Sequence, residues 1–243
     1  MVNKNFYLLD KCCGDVVTID GKSAYDLFNA DLAEVKHVPG VVTAEFQRAL
    51  GASGISLMDH TIAVGGLELT FYVGGATNQE CYLHTSNLVA ASRSCVLSIE
   101  DDEFEYVAVL TNFAVDQTKL LWYNKVTLTW SVVKRLPLVT VTGTSEVHFI
   151  NVGSLASGMR ITITPSQAIT VLKVNGTLTC TNLVANVPFV IDGIDGSITA
   201  NGVNRFLDTN LIEFPTAVPG MNALTVDNQH CVLKVEYYPT LIV

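Results

Sequence analysis

Charge is what this 243-residue chain has least of: Asp, Glu, Lys and Arg make up 15% of it, against about 25% in an ordinary soluble domain. Apolar content, at 49%, is unremarkable, so the polar surface is built from Thr, Asn, Ser and Gly. The shortage is greatest from residue 141 onward. There the cations are Arg160, Lys173, Arg205 and Lys234, set against Glu146, Asp192, Asp195, Asp208, Glu213, Asp227 and Glu236. A surface poor in charge suits a protein that packs against copies of itself or other subunits, because interface cores are depleted in charge. It equally suits a β-sandwich with a Thr/Asn-rich exterior.

Other absences exclude whole classes. No basic cluster is larger than Lys134-Arg135 and the net charge is −9, so nothing draws in a nucleic-acid backbone. No segment approaches the roughly 20 consecutive apolar residues of a membrane span, and "MVNKNFYLLDKCCGD" lacks the pattern of a secretion signal; a soluble protein made in the cytoplasm is expected. The six cysteines (Cys12, Cys13, Cys81, Cys95, Cys180, Cys231) form no CxxC pair and no zinc spacing with histidine. Cys12 and Cys13 are adjacent and cannot comfortably bridge each other, so reduced thiols are expected.

Catalytic signatures are missing too. The sequence has no G-x-S-x-G, H-E-x-x-H, P-loop or G-x-G-x-x-G, and His37, His60, His84, His148 and His230 stand in no recognisable catalytic context. "EDDEFE" (Glu100 to Glu105) has neither the ligand spacing nor the Gly turn of a calcium loop and reads as a solvated loop. "IDGIDG" (Ile191 to Gly196) reads as two successive Asp-Gly turns. No catalytic, cofactor-binding or metal-ligating residue is nominated.

What is present is β-structure. "VVTIDGKSAYDLFNADLAEV" reads as strand, turn at Asp20-Gly21, strand, with Tyr25, Leu27, Leu32 and Val35 facing a core. A "VPG" turn (Val38 to Gly40) follows. In "HTIAVGGLELTFYVGG" (His60 to Gly75), Leu67, Leu69, Phe71 and Val73 alternate with Glu68, Thr70 and Tyr72, the period of a half-buried strand. A single helix is predicted over residues 86–98, capped by Ser86 or Asn87, with Leu88, Val89, Cys95 and Val96 on one face. "EYVAVLTNFAV" and "KLLWYNKVTLTWSVVKRLPLV" are strands again, carrying Trp122 and Trp130 as structural aromatics.

Near residue 140 the character changes to short strands with regular turns: "EVHFINV", "GMRITITP", "AITVLKV", "TLTCTNL", "PFVID", "SITA", "NRFL", "ALTV" and "CVLKVEYYP". Asn175-Gly176 and Asn201-Gly202 are the dipeptide that best supports a two-residue type I′ hairpin. The expected architecture is mainly β, in two domains: 1–140, a β domain with one packed helix, and 141–243, a β-sandwich. In "FPTAVPGMNALTV" (Phe214 to Val226), Pro215, Pro219 and Gly220 are expected to make a rigid corner. Phe214 would anchor it, and Asn222 would bond local backbone before a final hairpin.

The order of these features resembles the distal tail protein (Dit) family of siphophages, the bacteriophages with long non-contractile tails, and of related prophages. "VTIDGKSAYDLFNADLAEVKHVPGV" is similar to the family's opening strands and "PG" turn. "ELTFYVGG", the helix and "EYVAVLTNF" follow in family order, and "FPTAVPGMNALTV" before "VLKVEYYPTLIV" resembles its ending. The early "PGR.G" of the family appears here as "VPGVVTAEFQR", without the adjacent Arg. The resemblance implies a ring-forming N-terminal domain and a galectin-like C-terminal sandwich. It further implies a hexameric ring, single or paired back to back, joining the tail tube protein to the tail-associated tip protein. Receptor-binding proteins would attach outside, at the virion tail tip, with no reaction catalysed, no cofactor and no sequence-specific nucleic acid. Galectin-like folding does not imply sugar binding: His148 is followed by "FINV" and no Trp occurs after residue 130. The alternative is a carbohydrate-binding β-sandwich module stacking sugars on Tyr237, Tyr238 or Trp122; a hydrolase with a dispersed triad ranks third.

Overall fold

The computed structural model describes residues 16–40, 42–47, 56–62, 65–100, 102–117 and 122–242, with the side chains of 42–47 and 56–62 excepted. The fold is mainly β. The protein divides into two compact units, one running up to Lys134 and the other spanning Arg135–Leu241. Cys12 and Cys13 lie outside the described residues.

The first unit contains β1 (Val17–Ile19), β2 (Lys22–Ser23), α1 (Ala24–Phe28), β3 (Ala30–Val38), β4 (Val42–Gln47), β5 (Ser56–Ile62), β6 (Gly65–Gly74), α2 (Asn78–Ala91), β7 (Ser94–Ile99), β8 (Glu105–Gln117) and β9 (Tyr123–Arg135). Its main sheet runs β2-β1-β7-β8-β9-β6-β3, with β4 and β5 paired separately. Leu67, Leu69, Phe71 and Val73 of β6 are fully buried, opposite Trp130, Leu128, Val126 and Asn124 of β9. At about 25 cal/mol per Å² of apolar surface removed from water, burial of this paired face stabilises the unit. The segment from His60 to Gly75 is two strands, β5 and β6, separated by residues 63–64, which lie outside the described residues.

The helix is where the expectation fails. It spans 78–91, eight residues earlier than predicted at its start, and 94–99 is a strand. The start is set by Thr77, whose side chain accepts from Glu80 N at 3.1 Å while Glu80 Oε2 accepts from Ala76 N at 2.9 Å, a capping box whose return bond falls one residue before the cap. Cys95, Leu97 and Ile99 are buried alternately, the period of a strand. The α2 underside is fastened by polar contacts: Asn124 Nδ2 donates to Thr85 Oγ1 at 3.0 Å, Thr85 Oγ1 to Cys81 O at 2.9 Å, and Trp130 Nε1 to Ser92 O at 2.8 Å. A second helix, α1, interrupts the segment expected to be strand-turn-strand. Ser23 caps it and Asn29 ends it in the left-handed region. Its core residues are Ala24 and Phe28, so Tyr25 and Leu27 point outward, contrary to expectation.

The second unit contains β10 (Val139–Thr144), β11 (Glu146–Asn151), β12 (Ser157–Pro165), β13 (Ile169–Val174), β14 (Leu178–Leu183), β15 (Phe189–Asp192), β16 (Ser197–Ala200), β17 (Val203–Asn204), β18 (Thr216–Ala217), β19 (Gly220–Thr225) and β20 (Cys231–Tyr237). One sheet runs β10-β20-β12-β15-β16-β17, with β18 on the end of β12; β11 pairs with β19 and β13 with β14. A Val174↔Val226 bridge joins these two pairs. Both layers feed one apolar core: Val147, Phe149, Leu172, Cys180 and Leu224 from the paired strands, and Ile161, Ile163, Phe189, Ile191, Leu233 and Val235 from the larger sheet.

Three details differ from the sequence reading. "NRFL" is the end of β17 followed by a 3₁₀ turn, Phe206–Asp208, in which Leu207 is exposed. β10, unassigned from sequence, pairs along its length with β20. No final hairpin follows the proline corner, because β19 pairs with β11 and β20 with β10 and β12. The turns are mixed. Asn201-Gly202 makes the expected two-residue connection, with φ 50° and 74° and Ala200 paired with Val203. Asn175-Gly176 has the same signs, φ 48° and 74°, but Val174 pairs with Leu178 and Thr177 joins the loop.

The corner itself is built as its composition suggests. Phe214 packs against the core, Pro215 O accepts from Met159 N at 3.0 Å, and Gly220 has φ 90°. Asn222 Nδ2 donates to Val218 O at 2.7 Å and to Gly220 O at 2.9 Å, while its Oδ1 accepts from Val218 N at 3.0 Å. A Cβ at Gly220 would meet no atom within 4 Å, so backbone strain alone decides the substitution. Gly220→Ala is expected to lower stability by about 1–2 kcal/mol, read as a lower urea midpoint. A Gly220→Ala, Pro219→Ala double variant as stable as the parent would contradict the rigid corner.

Candidate assembly surfaces

The histidines are dispersed. His84 Nδ1 lies 2.8 Å from Gly74 O, and His148 Nε2 lies 2.7 Å from Glu146 Oε1 at an exposed position; His37, on β3 of the first unit, and His230, just before β20 of the second, are exposed. Among the described residues, no group of three or more His, Cys, Asp or Glu is arranged to hold a metal ion. In the acidic stretch, Asp102 Oδ1 accepts from Phe104 N at 3.3 Å and Oδ2 accepts from the Tyr106 hydroxyl. Glu100 Oε2 accepts from Val16 N at 3.0 Å. Burial first, and then the Asp102 contact, push the Tyr106 phenol up from its ordinary value.

"IDGIDG" serves the backbone. Asp192 Oδ1 accepts from Ile194 N at 2.9 Å and Asp195 N at 3.1 Å, and its Oδ2 takes Arg160 Nε at 2.5 Å. Asp192 is 4% exposed and Arg160 sits across from it in register, with Glu236 on the other flank. Lys234 Nζ in turn lies 2.7 Å from Glu236 Oε1. The result is a row of alternating charge, Glu236, Arg160 and Asp192, across the sheet face opposite the core, extended along β20 by Lys234. Hydrogen bonding to Asp192 holds the Arg160 guanidinium above its ordinary value.

Of the aromatics weighed as sugar platforms, Tyr237 is 1% exposed, packs with its ring tilted against Phe149 at 5.1 Å between centroids and donates to Ile150 O at 2.9 Å. It is a core residue. Trp130 is likewise buried, whereas Trp122 is 46% exposed.

Apolar side chains left in water mark the surfaces with something to bury. On β8, Tyr106 and Ala108 enter the core, while Val107, Val109 and Phe113 face outward and are exposed. Past Val109, β7 no longer reaches its neighbour. The helices touch each other and turn Tyr25, Leu27, Tyr82 and Leu83 to solvent. The second unit exposes Val203, Phe206, Leu207 and Ile212 around the 3₁₀ turn, and Ile150 and Met221 on the facing strands β11 and β19. A shallow cavity of about 260 Å³ is lined by Leu183, Val184, Phe189, Ala200, Asn201 and Arg205, among others. From the sequence, Tyr25 and Leu27 were expected in the core and Asn201 in a turn; none of these positions was expected to form a surface.

No family model matches this sequence, and no curated protein matches it. Solved structures do. The protein is similar to the Dit protein of SPP1, described as a paradigm of the hub adsorption apparatus in phages infecting Gram-positive bacteria. The TM-score is 0.70 at 14% identity, covering 93% of this chain and 98% of that one. It is also similar to components of the phage p2 baseplate in its activated conformation, determined with Sr and with Ca. There the TM-score is 0.50 at 10% identity, covering 85% of this chain and 90% of that one. The fold is therefore that of phage tail hub proteins.

Two outcomes test the site's electrostatics. Asp192→Ala removes the partner of Arg160 and two backbone contacts, and is expected to cost about 3 kcal/mol in chemical unfolding; Asp192→Asn should recover part of it. The second concerns Cys95 and Cys180, whose thiols burial pushes up to about 11 and about 12 from 9.0. Because the folded state resists ionisation, their contribution is complete below pH 9 and is lost as pH rises toward the folded values. The unfolding midpoint should fall as pH rises from about 9 toward 11, and less steeply in Cys180→Val.

Proposed function

We propose that this protein is a structural hub protein of a bacteriophage tail tip, at work in the virion. The observation that carries the reading is the end-to-end structural match to the SPP1 Dit protein, 93% of this chain on 98% of that one. On this reading the first domain, 1–140, forms a ring, hexameric and single or paired back to back. The ring joins the tail tube protein to a tail-associated tip protein. The second domain, 141–243, is a galectin-like sandwich that projects outward and carries receptor-binding proteins. The role is assembly and passage of DNA, with no bond made or broken.

The surfaces support this in physical terms. A ring of identical subunits needs two different patches on each copy. The first unit has two candidates on different elements: the outward stripe of β8, and the Tyr25, Leu27, Tyr82 and Leu83 patch of the helices. The carbohydrate-binding alternative loses Tyr237, which is buried and hydrogen-bonded.

Mass measurement in solution is the direct test. The hub reading expects rings of up to six copies of the 26.3 kDa protein, single or paired back to back, alone or once the tube and tip proteins are added, and the protein itself in purified tails. Val109→Asp and Phe113→Asp, at exposed positions, should leave the monomer folded and weaken assembly about tenfold or more. A protein that stays monomeric with both partners present, binds a glycan and is absent from tails would overturn the reading.

A further inference from the structure

The sequence holds two Asn-Gly dipeptides, Asn175-Gly176 and Asn201-Gly202, and their backbones form a matched pair. Both asparagines have positive φ (48° and 50°), both glycines have φ 74°, and all four residues are exposed. A Cβ placed on either glycine would meet nothing within 4 Å. Chemically they are equivalent: an asparagine amide followed by an unhindered glycine amide nitrogen.

They differ in how they are anchored. Asn175 N donates to Thr225 O at 2.8 Å, and Asn175 Oδ1 accepts from Thr225 N at 2.8 Å and from Thr225 Oγ1 at 3.4 Å. Its strand pair, β13 with β14, holds five residue pairs in register. The Asn201 side chain makes no such bond, and its turn closes onto β17, a two-residue strand at the end of the sheet that is registered with β16 at two pairs. Edge hairpins of this kind open with little free energy.

We infer that Asn201 is a site of spontaneous backbone modification in the folded protein and that Asn175 is protected from it by Thr225. In the reaction the Gly202 amide nitrogen loses its proton and attacks the Asn201 Cγ carbonyl carbon. The new bond from the Gly202 nitrogen to Cγ closes a five-membered succinimide as the bond between Cγ and Nδ2 breaks and ammonia leaves. Water then opens the ring at either carbonyl, giving aspartate or isoaspartate. The left-handed turn must open for the nitrogen to reach that carbon, so the rate follows the opening of the hairpin. Two hydrogen bonds at their usual net worth correspond to roughly a tenfold or greater difference in opening between the two sites. The product places a carboxylate on the cavity that Asn201 shares with Arg205. The Arg205 Nε is buried there without an acceptor.

Purified full-length protein incubated at mildly alkaline pH and body temperature, digested and read by peptide mass spectrometry for aspartate and isoaspartate, tests this. Accumulation at position 201 about tenfold faster than at 175 is expected, with Gly202→Ala slowing it markedly. Short synthetic peptides spanning each Asn-Gly should react at similar rates. Conversion at 175 as fast as at 201 would overturn the inference. So would peptides that reproduce the whole difference, because the fold would then contribute nothing. Where Gly202→Ala fails to fold, Thr225→Val keeps the test open: it removes one of the contacts to Asn175 and should raise conversion at 175 alone.

Discussion

Both units depend on turn residues that tolerate positive φ. Among the described residues, seven non-glycine positions have it: Asp20, Asn29, Ser145, Asn175, Asn182, Asn186 and Asn201. In an antiparallel pair the turn fixes the register, and a slip of one residue would carry every inward side chain to the wrong face. Asp20-Gly21 sets Ile19 against Lys22, which leaves Val17 and Ile19 in the core. Asn29 ends α1 and releases the backbone into β3. Ser145 turns β10 of the large sheet into β11 of the other layer. Five of the seven are asparagine, the non-glycine residue whose short amide best accommodates this region. Part of the Asn-rich composition is therefore a demand of the backbone, and only the remainder bears on the surface facing partners.

The sequence disclosed those parts of the fold in which one physical cause dominates. Leu67, Leu69, Phe71 and Val73 alternate because one face of β6 is buried, and Asn201-Gly202 closes two residues because nothing else in reach adopts that geometry so cheaply. The helix was misplaced because two causes competed. Only Cys81, Thr85 and Leu88 of α2 are buried, a seam too polar to outweigh the Leu88, Val89, Cys95, Val96 set downstream. The Thr77 to Glu80 capping box was legible, and it fixes the true start. The exposed apolar patches were illegible for another reason. Val107 and Val109 sit beside Tyr106 and Ala108, so β8 is apolar on both faces and offers no alternation from which to tell core from surface.

A fold match at 14% identity over nearly the whole length becomes intelligible on the same grounds. What the architecture requires is period, turn geometry and a few backbone contacts, and many side chains meet the first two. The corner at Phe214 to Val226 is a stricter case. Pro215 O takes Met159 N, Gly220 needs its positive φ, and Asn222 ties Val218 to Gly220. These bonds send the backbone from β18, against β12, into β19 against β11, from one layer to the other. A phrase that performs this step is restricted in its residues, which is why it could carry part of the family resemblance.

The surface that the proposed ring would use also has an energetic logic. Each copy carries −9, so copies repel one another over a Debye length of about 8 Å at physiological ionic strength. The outward positions of β8 from Val107 to Phe113 are uncharged, and its distal half has lost its neighbour in β7. An exposed apolar strand edge of this kind invites pairing without selectivity. Repulsion distributed over the rest of the molecule opposes every encounter equally, whereas apolar burial rewards only contacts that cover the stripe. Assembly then depends on patch complementarity, and the negative charge that weakens each contact is what restrains unproductive association before the partners are in place.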